Sequence, residues 1–192
     1  MGVFNQVTSD ELDHIQINAG MLLSSFNPAS PAAPTSSSII SATTGGITAT
    51  CRPTFEDFGS DIDNCPNNTR EMKRITGYEC TLGATLLDMT EETFKLVLGA
   101  AIKHAATAEH PASVEPRAQV AVQDFQDIWF VSEKVNGKIV AIQLENALST
   151  GGFSYKTQKN GKGQLTATFT GHIAISNPDD IPMKFYICDE PE

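Results

Sequence analysis

This sequence predicts a mainly β protein: a β-sandwich or barrel of two packed antiparallel sheets, flanked by one α-helix and joined by long extended loops. Three observations support that fold class. Apolar and polar residues alternate along several segments, two Asn-Gly pairs separate such segments, and one segment has helical periodicity. Alternation is typical of half-buried strands, and Asn-Gly favours the positive φ angles of tight hairpin turns.

The strand predictions follow the alternation in chain order. Every second residue is apolar or small in four segments: residues 15–23, 47–55, 78–86 and 165–175. Threonine fills many of the intervening positions, and its branched Cβ suits a pleated sheet. Asn136-Gly137 and Asn160-Gly161 each lie between two strand-like segments, so both are predicted to be hairpin turns.

One helix is predicted over about residues 90–104. Thr90 is suited to cap its N-terminus, and Glu91 and Glu92 lie in its first turn. Apolar residues recur at helical spacing from Phe94 to Ile102. Because an amphipathic helix buries its apolar side, we expect this helix to cover one face of a sheet.

Three stretches are predicted to be long loops: residues 27–38, 58–69 and 105–116. The first contains three prolines and the third contains two, and the second, counted with Glu56 and Asp57, has four acids and no base. Loops of this length without regular structure are usually functional or disordered. One interpretation is that they are arms that become ordered against neighbouring molecules; the other is that they are simply mobile loops.

The composition narrows the classes of function. A chain of 192 residues is long enough for one domain with a core, and we predict a single domain over residues 1–192. No apolar run approaches the roughly 18 residues of a membrane helix, so no membrane partner is expected. Thirteen basic and 23 acidic residues give a net charge of −10, which disfavours nucleic-acid binding through a basic face.

The four cysteines, Cys51, Cys65, Cys80 and Cys188, form no CxxC pair and have no regular spacing. The N-terminus has no secretory pattern, so we expect a reducing compartment and free thiols. Cys51 and Cys80 fall on apolar faces of predicted strands, where they should behave as small core residues.

No catalytic or ligand-binding pattern is complete. Asp61-Ile62-Asp63 matches the start of a calcium loop, but Pro66 and Met72 occupy positions that need glycine and glutamate. The four histidines have no paired spacing, and no nucleophile–base pair of the kind that hydrolases use is evident. We therefore predict a protein that is not an enzyme and has no catalytic, metal or cofactor site.

Several strings together resemble a known family. Their one-letter sequences are FEDFGSDIDN at 55–64, ITGYE at 75–79, DFQDIWFV at 124–131 and NALSTGGFS at 146–154, followed by Gly171-His172 and Ile181-Pro182. In order and spacing they resemble the major tail tube protein of long, non-contractile-tailed bacteriophages. The resemblance extends from roughly residue 8 to residue 188.

The resemblance implies a β-sandwich flanked by a helix whose copies form hexameric rings. Stacked rings would make a hollow tail tube in the virion, assembled in the host cytoplasm around a tape-measure protein. The tube would bind the tail terminator at one end and baseplate or distal tail proteins at the other. DNA would pass through during ejection without specific binding. Some relatives carry a C-terminal immunoglobulin-like domain, which we do not expect in a chain that ends at Glu192.

Two charged patches are candidates for the contact between successive rings. The acidic patch consists of Glu56, Asp57, Asp61 and Asp63, with Asn64 beside them, and the basic patch consists of Lys156, Lys159 and Lys162. Facing patches of opposite charge would favour head-to-tail stacking. Two solvated patches that never meet are the competing interpretation, because exposed ion pairs are weak.

Other functions stay open at this point. The inner tube of a contractile tail or of a phage-derived bacteriocin is the nearest alternative. A β-sandwich module that binds carbohydrate or another ligand is a further one, although such modules usually need an exposed aromatic platform. The one tryptophan, Trp129, lies in an apolar run and is predicted to be buried.

Overall fold

The computed structural model describes residues 7–188. The single-domain prediction over 1–192 also includes residues 1–6 and 189–192, which lie outside the described residues. Glu192 is among these residues, so the expectation of no C-terminal immunoglobulin-like domain also lies outside the described residues.

Strands dominate the described part of the chain. The strands are β1 (Gln16–Leu23), β2 (Ile39–Ser41), β3 (Thr43–Asp57), β4 (Lys73–Leu86), β5 (Ala101–His104), β6 (Ser113–Pro116), β7 (Gln126–Lys134), β8 (Ile139–Ser149), β9 (Ser154–Lys156), β10 (Gln164–Thr170) and β11 (Met183–Cys188). The α-helices are α1 (Ser9–Asp13) and α2 (Glu91–Leu98), and single 3-10 turns occupy Arg70–Met72 and Val122–Asp124.

Nine of these strands form one antiparallel network that folds into two layers. The first layer has the order β2-β1-β7-β8-β11, and the second has the order β10-β4-β3, with β9 also paired to β10. Strand β8 belongs to both layers, because most of it pairs with β7 and β11 while Leu148 and Ser149 at its end pair with β10. The predicted mainly β fold of packed antiparallel sheets is therefore confirmed.

The core lies between the two layers. Alternation places one side of each strand inward, and the inward residues of both layers form one cluster with Val97 of α2. The fully buried members with the largest side chains are Phe169, Leu22, Leu82, Leu86, Ile128, Leu144 and Leu165. Burial of this kind contributes about 25 cal/mol for each Å² of apolar surface removed from water.

Two of the predicted alternations and both hairpin turns are confirmed. Residues 80, 82, 84 and 86 of β4 are buried, as are 165, 167 and 169 of β10. Asn136-Gly137 joins the paired strands β7 and β8, and Asn160-Gly161 lies between the paired strands β9 and β10. Only one residue of each pair has a positive φ angle, 81° at Gly137 and 59° at Asn160. Neither is therefore the two-residue type I′ turn, which needs a positive φ at both central residues.

The last predicted strand is too long. Strand β10 ends at Thr170 rather than continuing to Ile175, which is fully exposed. Just after the strand, Gly171 packs so closely against Leu144 and Pro182 that a Cβ atom there would lie 2.7 Å from Leu144 Cδ1. The chain then turns towards β11.

The prediction for the first strand is correct for Leu23, which is buried, and wrong for Ile17 and Met21, which are exposed. Leu22, which lies outside the predicted alternation, is also buried. The pairing with β7 shifts register between Ile17 and Met21, and Gly20 in that interval has a positive φ of 71°. A bulge of this kind interrupts the alternation.

The helix prediction is correct at its start and wrong at its end. Thr90 caps α2, since its Oγ1 accepts a hydrogen bond from the Thr93 amide at 3.2 Å. The helix ends at Leu98 rather than at about residue 104, because Gly99 adopts a φ of 73° and leaves the helical path. The residues that follow form β5, which pairs with β6.

The loop predictions are confirmed in two cases and corrected in one. Residues 27–38 and 58–69 contain turns but no strand. The predicted loop 105–116 is shorter, since its last four residues form β6 and pair with β5. The helix α1, which no prediction included, has an exposed capping box formed by Thr8 and Glu11.

Candidate assembly surfaces

The hairpin of β3 and β4 extends beyond the core. The two strands pair from Thr43 and Leu86 at one end to Asp57 and Lys73 at the other. Near the core the β4 side chains are buried, but Phe55 and its partner Ile75 are 55% and 50% exposed. The outer part of the hairpin therefore has no second layer behind it.

The loop at the tip of this hairpin, residues 58–69, has its own hydrogen bonds. Asp57 joins its two ends: Oδ1 accepts from the Gly59 amide at 3.0 Å and Oδ2 accepts from the Asn68 amide at 2.9 Å. These two bonds, together with the charge of Lys73, hold the pKa of Asp57 below its usual value. Asp57 therefore organises the loop.

The acidic patch is less negative than the sequence implies. Strand register places Arg74 opposite Glu56 and Lys73 opposite Asp57. Arg70 at the foot of the loop forms an ion pair with Glu71 at 2.6 Å. The net negative charge of the tip is consequently concentrated in its exposed outer part.

Three predicted site residues occupy that outer part of the tip. Asp61, Asp63 and Asn64 are all exposed. Asn64 has a positive φ of 61°, a conformation that asparagine tolerates better than most residues. The two aspartates are therefore the acids best placed to meet another molecule.

The basic patch lies on the β9–β10 hairpin. Lys156 ends β9, whereas Lys159 and Lys162 lie in the turn before β10, and all three are exposed. The turn is closed by a hydrogen bond from the Gly161 amide to the Gln158 carbonyl at 3.2 Å. Residues 150–170 contain no acid, so this hairpin carries only positive side-chain charges.

The two patches lie at opposite ends of the second layer. Register pairs Leu165, next to the basic turn, with Leu86 at the end of β4, whereas the acidic loop precedes Lys73 at the start of β4. Since β4 has 14 residues, the patches are separated by roughly 40 Å at about 3.3 Å per residue. They do not meet within one chain.

A third surface, which no sequence prediction included, is strand β11. It pairs with β8 on one side and forms an edge of the first layer. Phe185 and Ile187 share the face of β11 that buries Met183, yet they are 63% and 71% exposed. The sequence does show that every second residue from Met183 to Ile187 is apolar, which is typical of a strand. Because that face carries no charge, its pattern predicts burial and gives no sign that two of its side chains are exposed.

Strand β3 is the corresponding edge of the second layer, with β4 as its partner among the described residues. It contains Pro53 and has register shifts on both sides of its centre. Proline and bulges are features by which edge strands avoid indiscriminate pairing. Edge β11 carries exposed apolar residues instead.

Ion pairs fix the segments around these edges. Lys184 Nζ lies 2.7 Å from Glu145 Oε1 and 3.2 Å from Asp180 Oδ2. The bond to Glu145, followed by that to Asp180, raises the pKa of Lys184. This network ties the turn before β11 to strand β8.

The remaining side chains that merit attention have structural partners. The ring of Trp129 is 7% exposed and packs between Phe26 and Tyr186, at centroid distances of 5.7 and 5.6 Å. It therefore provides no exposed aromatic platform.

His172 is half-buried, with Nδ1 3.2 Å from the Asn146 carbonyl. Over residues 7–188, no cluster of three or more His, Cys, Asp or Glu side chains is arranged to hold a metal ion.

In the described part of the chain no helix combines the length and the hydropathy needed to cross a bilayer. No family model matches this sequence, and no curated protein matches it.

Proposed function

We propose that this chain is the structural subunit of a hollow tube made of stacked rings, of the kind that forms the tail of long, non-contractile-tailed bacteriophages. The resemblance of the strings at 55–64, 75–79, 124–131 and 146–154 supports this proposal. The two-layered β fold agrees with the fold that the resemblance implies. The subunit acts by assembly, with no chemical step of its own.

The observation that carries the proposal is the placement of opposite charges at opposite ends of one sheet. Asp61 and Asp63 lie at one end, and the three lysines of the basic patch lie about 40 Å away at the other. Such patches can neutralise each other only between copies, and a head-to-tail arrangement is the one that brings them together. This arrangement repeats without limit along an axis, as a tube requires.

Each contact between an acidic and a basic patch contributes little free energy, and repetition of the contact around the ring is what stabilises the stack. An exposed ion pair contributes about 0.2–1 kcal/mol. In a ring of six copies, every subunit repeats the same contact with the ring above. The apolar side chains of β11 supply the lateral contact in this proposal, since burying Phe185 and Ile187 against a neighbouring edge removes exposed apolar surface.

The net charge suits a conduit for DNA. Six copies at −10 each give a ring of about −60. A negative wall repels phosphates, so DNA slides through without being held. In the virion, the tape-measure protein fills the channel before ejection, and terminator and baseplate proteins close the two ends.

Electron microscopy and sedimentation of the purified chain test the proposal. We expect six-fold rings or tubes at high protein concentration in low salt. We also expect shorter stacks at about 1 M salt, where charges are screened beyond roughly 3 Å. A monomer at every concentration and salt tested, with native circular dichroism, would refute the proposal.

A further inference from the structure

Cys51 and Cys80 face each other across the β3–β4 hairpin. Strand register pairs the two residues directly, and their Sγ atoms lie 3.5 Å apart. Both are free thiols; Cys80 is fully buried and Cys51 is half-buried. The sequence indicated two core residues but not that they are opposite one another.

The backbone geometry at this pair suits a cross-link. The Cys80 carbonyl accepts a hydrogen bond from the Gly171 amide at 2.9 Å, on the side of β4 that faces away from β3. Because the N–H and C=O groups of one strand residue point to the same side, Cys51 and Cys80 form a non-hydrogen-bonded pair. Such pairs have Cα atoms about 4.5 Å apart, within the range of roughly 4.4–6.8 Å that disulfides adopt.

We propose that Cys51 and Cys80 are a latent redox pair, which a low-molecular-weight disulfide such as oxidised glutathione converts to an intramolecular disulfide. The thiolate of Cys51, the more accessible of the two, attacks one sulfur of glutathione disulfide and releases one glutathione thiolate. Cys80 then loses its proton, attacks the Cys51 sulfur of the mixed disulfide and releases the second. The two cysteines lose two electrons and two protons, and one glutathione disulfide becomes two glutathione molecules.

The surroundings of Cys80 determine the rate of the second step. Burial, followed by the neighbouring Cys51, raises the pKa of the Cys80 thiol to about 12. Little thiolate is present at neutral pH, so closure of the disulfide is slow and accelerates with rising pH. A reducing cytoplasm keeps the pair as thiols, and an oxidising environment outside the cell permits the cross-link.

The cross-link closes a covalent loop that contains the whole outer hairpin and its acidic tip. It joins the strands where the hairpin leaves the core, so it restrains strand separation at that point. The proposal concerns the subunit alone: its success or failure is independent of whether the chain forms tubes.

The test is incubation of the full chain with oxidised glutathione at pH 7 and pH 9, followed by intact mass and peptide mapping. We expect a mass lower by two hydrogen atoms, a peptide linking Cys51 to Cys80, faster formation at pH 9, and a higher melting temperature that dithiothreitol reverses. The C51S and C80A variants should lose this product, whereas the C65S and C188S variants should retain it.

Three outcomes would overturn the proposal. They are a stable glutathione adduct at Cys51 without closure, a cross-link that involves Cys65 or Cys188, and no oxidation of the folded chain under conditions that oxidise the urea-unfolded chain. If C80A does not fold, C51S serves alone, because Cys51 is only half-buried.

Discussion

At the scale of single residues, Asp57 shows how one carboxylate can order a loop. Its two oxygens accept backbone amides at the two ends of the segment 58–69. Replacing it with alanine removes both acceptors. We expect D57A to increase amide exchange at Gly59 and Asn68, measured by nuclear magnetic resonance at neutral pH, and D61A to leave both unchanged as a control.

The same carboxylate predicts a pH dependence. Its pKa in the folded chain is lowered from the usual 3.8, so its contribution to stability is present above that value and is lost as pH falls through the lowered pKa. The Gly59 and Asn68 amide shifts should therefore titrate together with a midpoint below 3.8. A shared midpoint at or above that value would contradict the assignment.

Gly99 is a second residue whose replacement should change the stability of the fold. Its φ of 73° is strained for other residues, and a Cβ atom there would lie 2.9 Å from the Ser149 carbonyl oxygen. We expect G99A to lower the free energy of unfolding by about 1–3 kcal/mol, measured with urea. The matched control is G77A, since Gly77 has no atom near its Cβ position and should change stability by less than about 0.5 kcal/mol. Equal losses of unfolding free energy in G99A and G77A would refute the strain assigned to Gly99.

At the scale of elements, β11 allows the proposed lateral contact to be tested separately from folding. Met183 is buried, while Phe185 and Ile187 on the same face are exposed. We expect the double variant F185S/I187S to keep subunit stability within about 1 kcal/mol while losing ring formation in sedimentation. The control M183A should instead destabilise the subunit by about 2–5 kcal/mol. Normal rings from the double variant would exclude β11 from the lateral contact.

The element boundaries also show how far the sequence was predictive. The cap at Thr90 and the apolar spacing after it located the start of α2, because both are local properties. The spacing continues to Ile102, but the chain leaves the helix at Gly99, where the backbone packs against Ser149 of β8. Residue spacing within one segment carries no information about a strand 50 residues away.

At the scale of the whole molecule, the charged ends predict a reciprocal pair of variants. If the chain stacks as proposed, we expect D61K/D63K to fold normally but to stop stacking, because the proposed attraction to the basic patch becomes repulsion. Adding K159D/K162D to the same chain should restore stacking. Tube yield by electron microscopy, with circular dichroism as the test of folding, is the measurement.

The matched control for that experiment is E109K/D179K, which changes the net charge equally at exposed positions outside both patches. It should stack as well as the original chain. Tubes of normal yield from D61K/D63K, or loss of tubes from the control as well, would refute a specific contact between the two patches.

The candidate site was only partly predictable. The sequence identified both charged patches by their residues, since charge and exposure follow from composition and turn chemistry. It overstated the acidity of the first patch, because Arg74 and Lys73 reach Glu56 and Asp57 only through the pairing of β3 with β4. The sequence did not identify the exposed face of β11, because the exposure of Phe185 and Ile187 depends on where the second layer ends.

By itself, the order of residues determined a mainly β chain with two hairpins at Asn-Gly pairs, one capped helix and two clusters of opposite charge. Periodicity, capping and turn preference act over a few residues, so they can be read locally. Only the tertiary structure decided that the two clusters occupy opposite ends of one sheet and that two distant cysteines face each other. The reason is physical: strand pairing joins residues that the sequence keeps far apart.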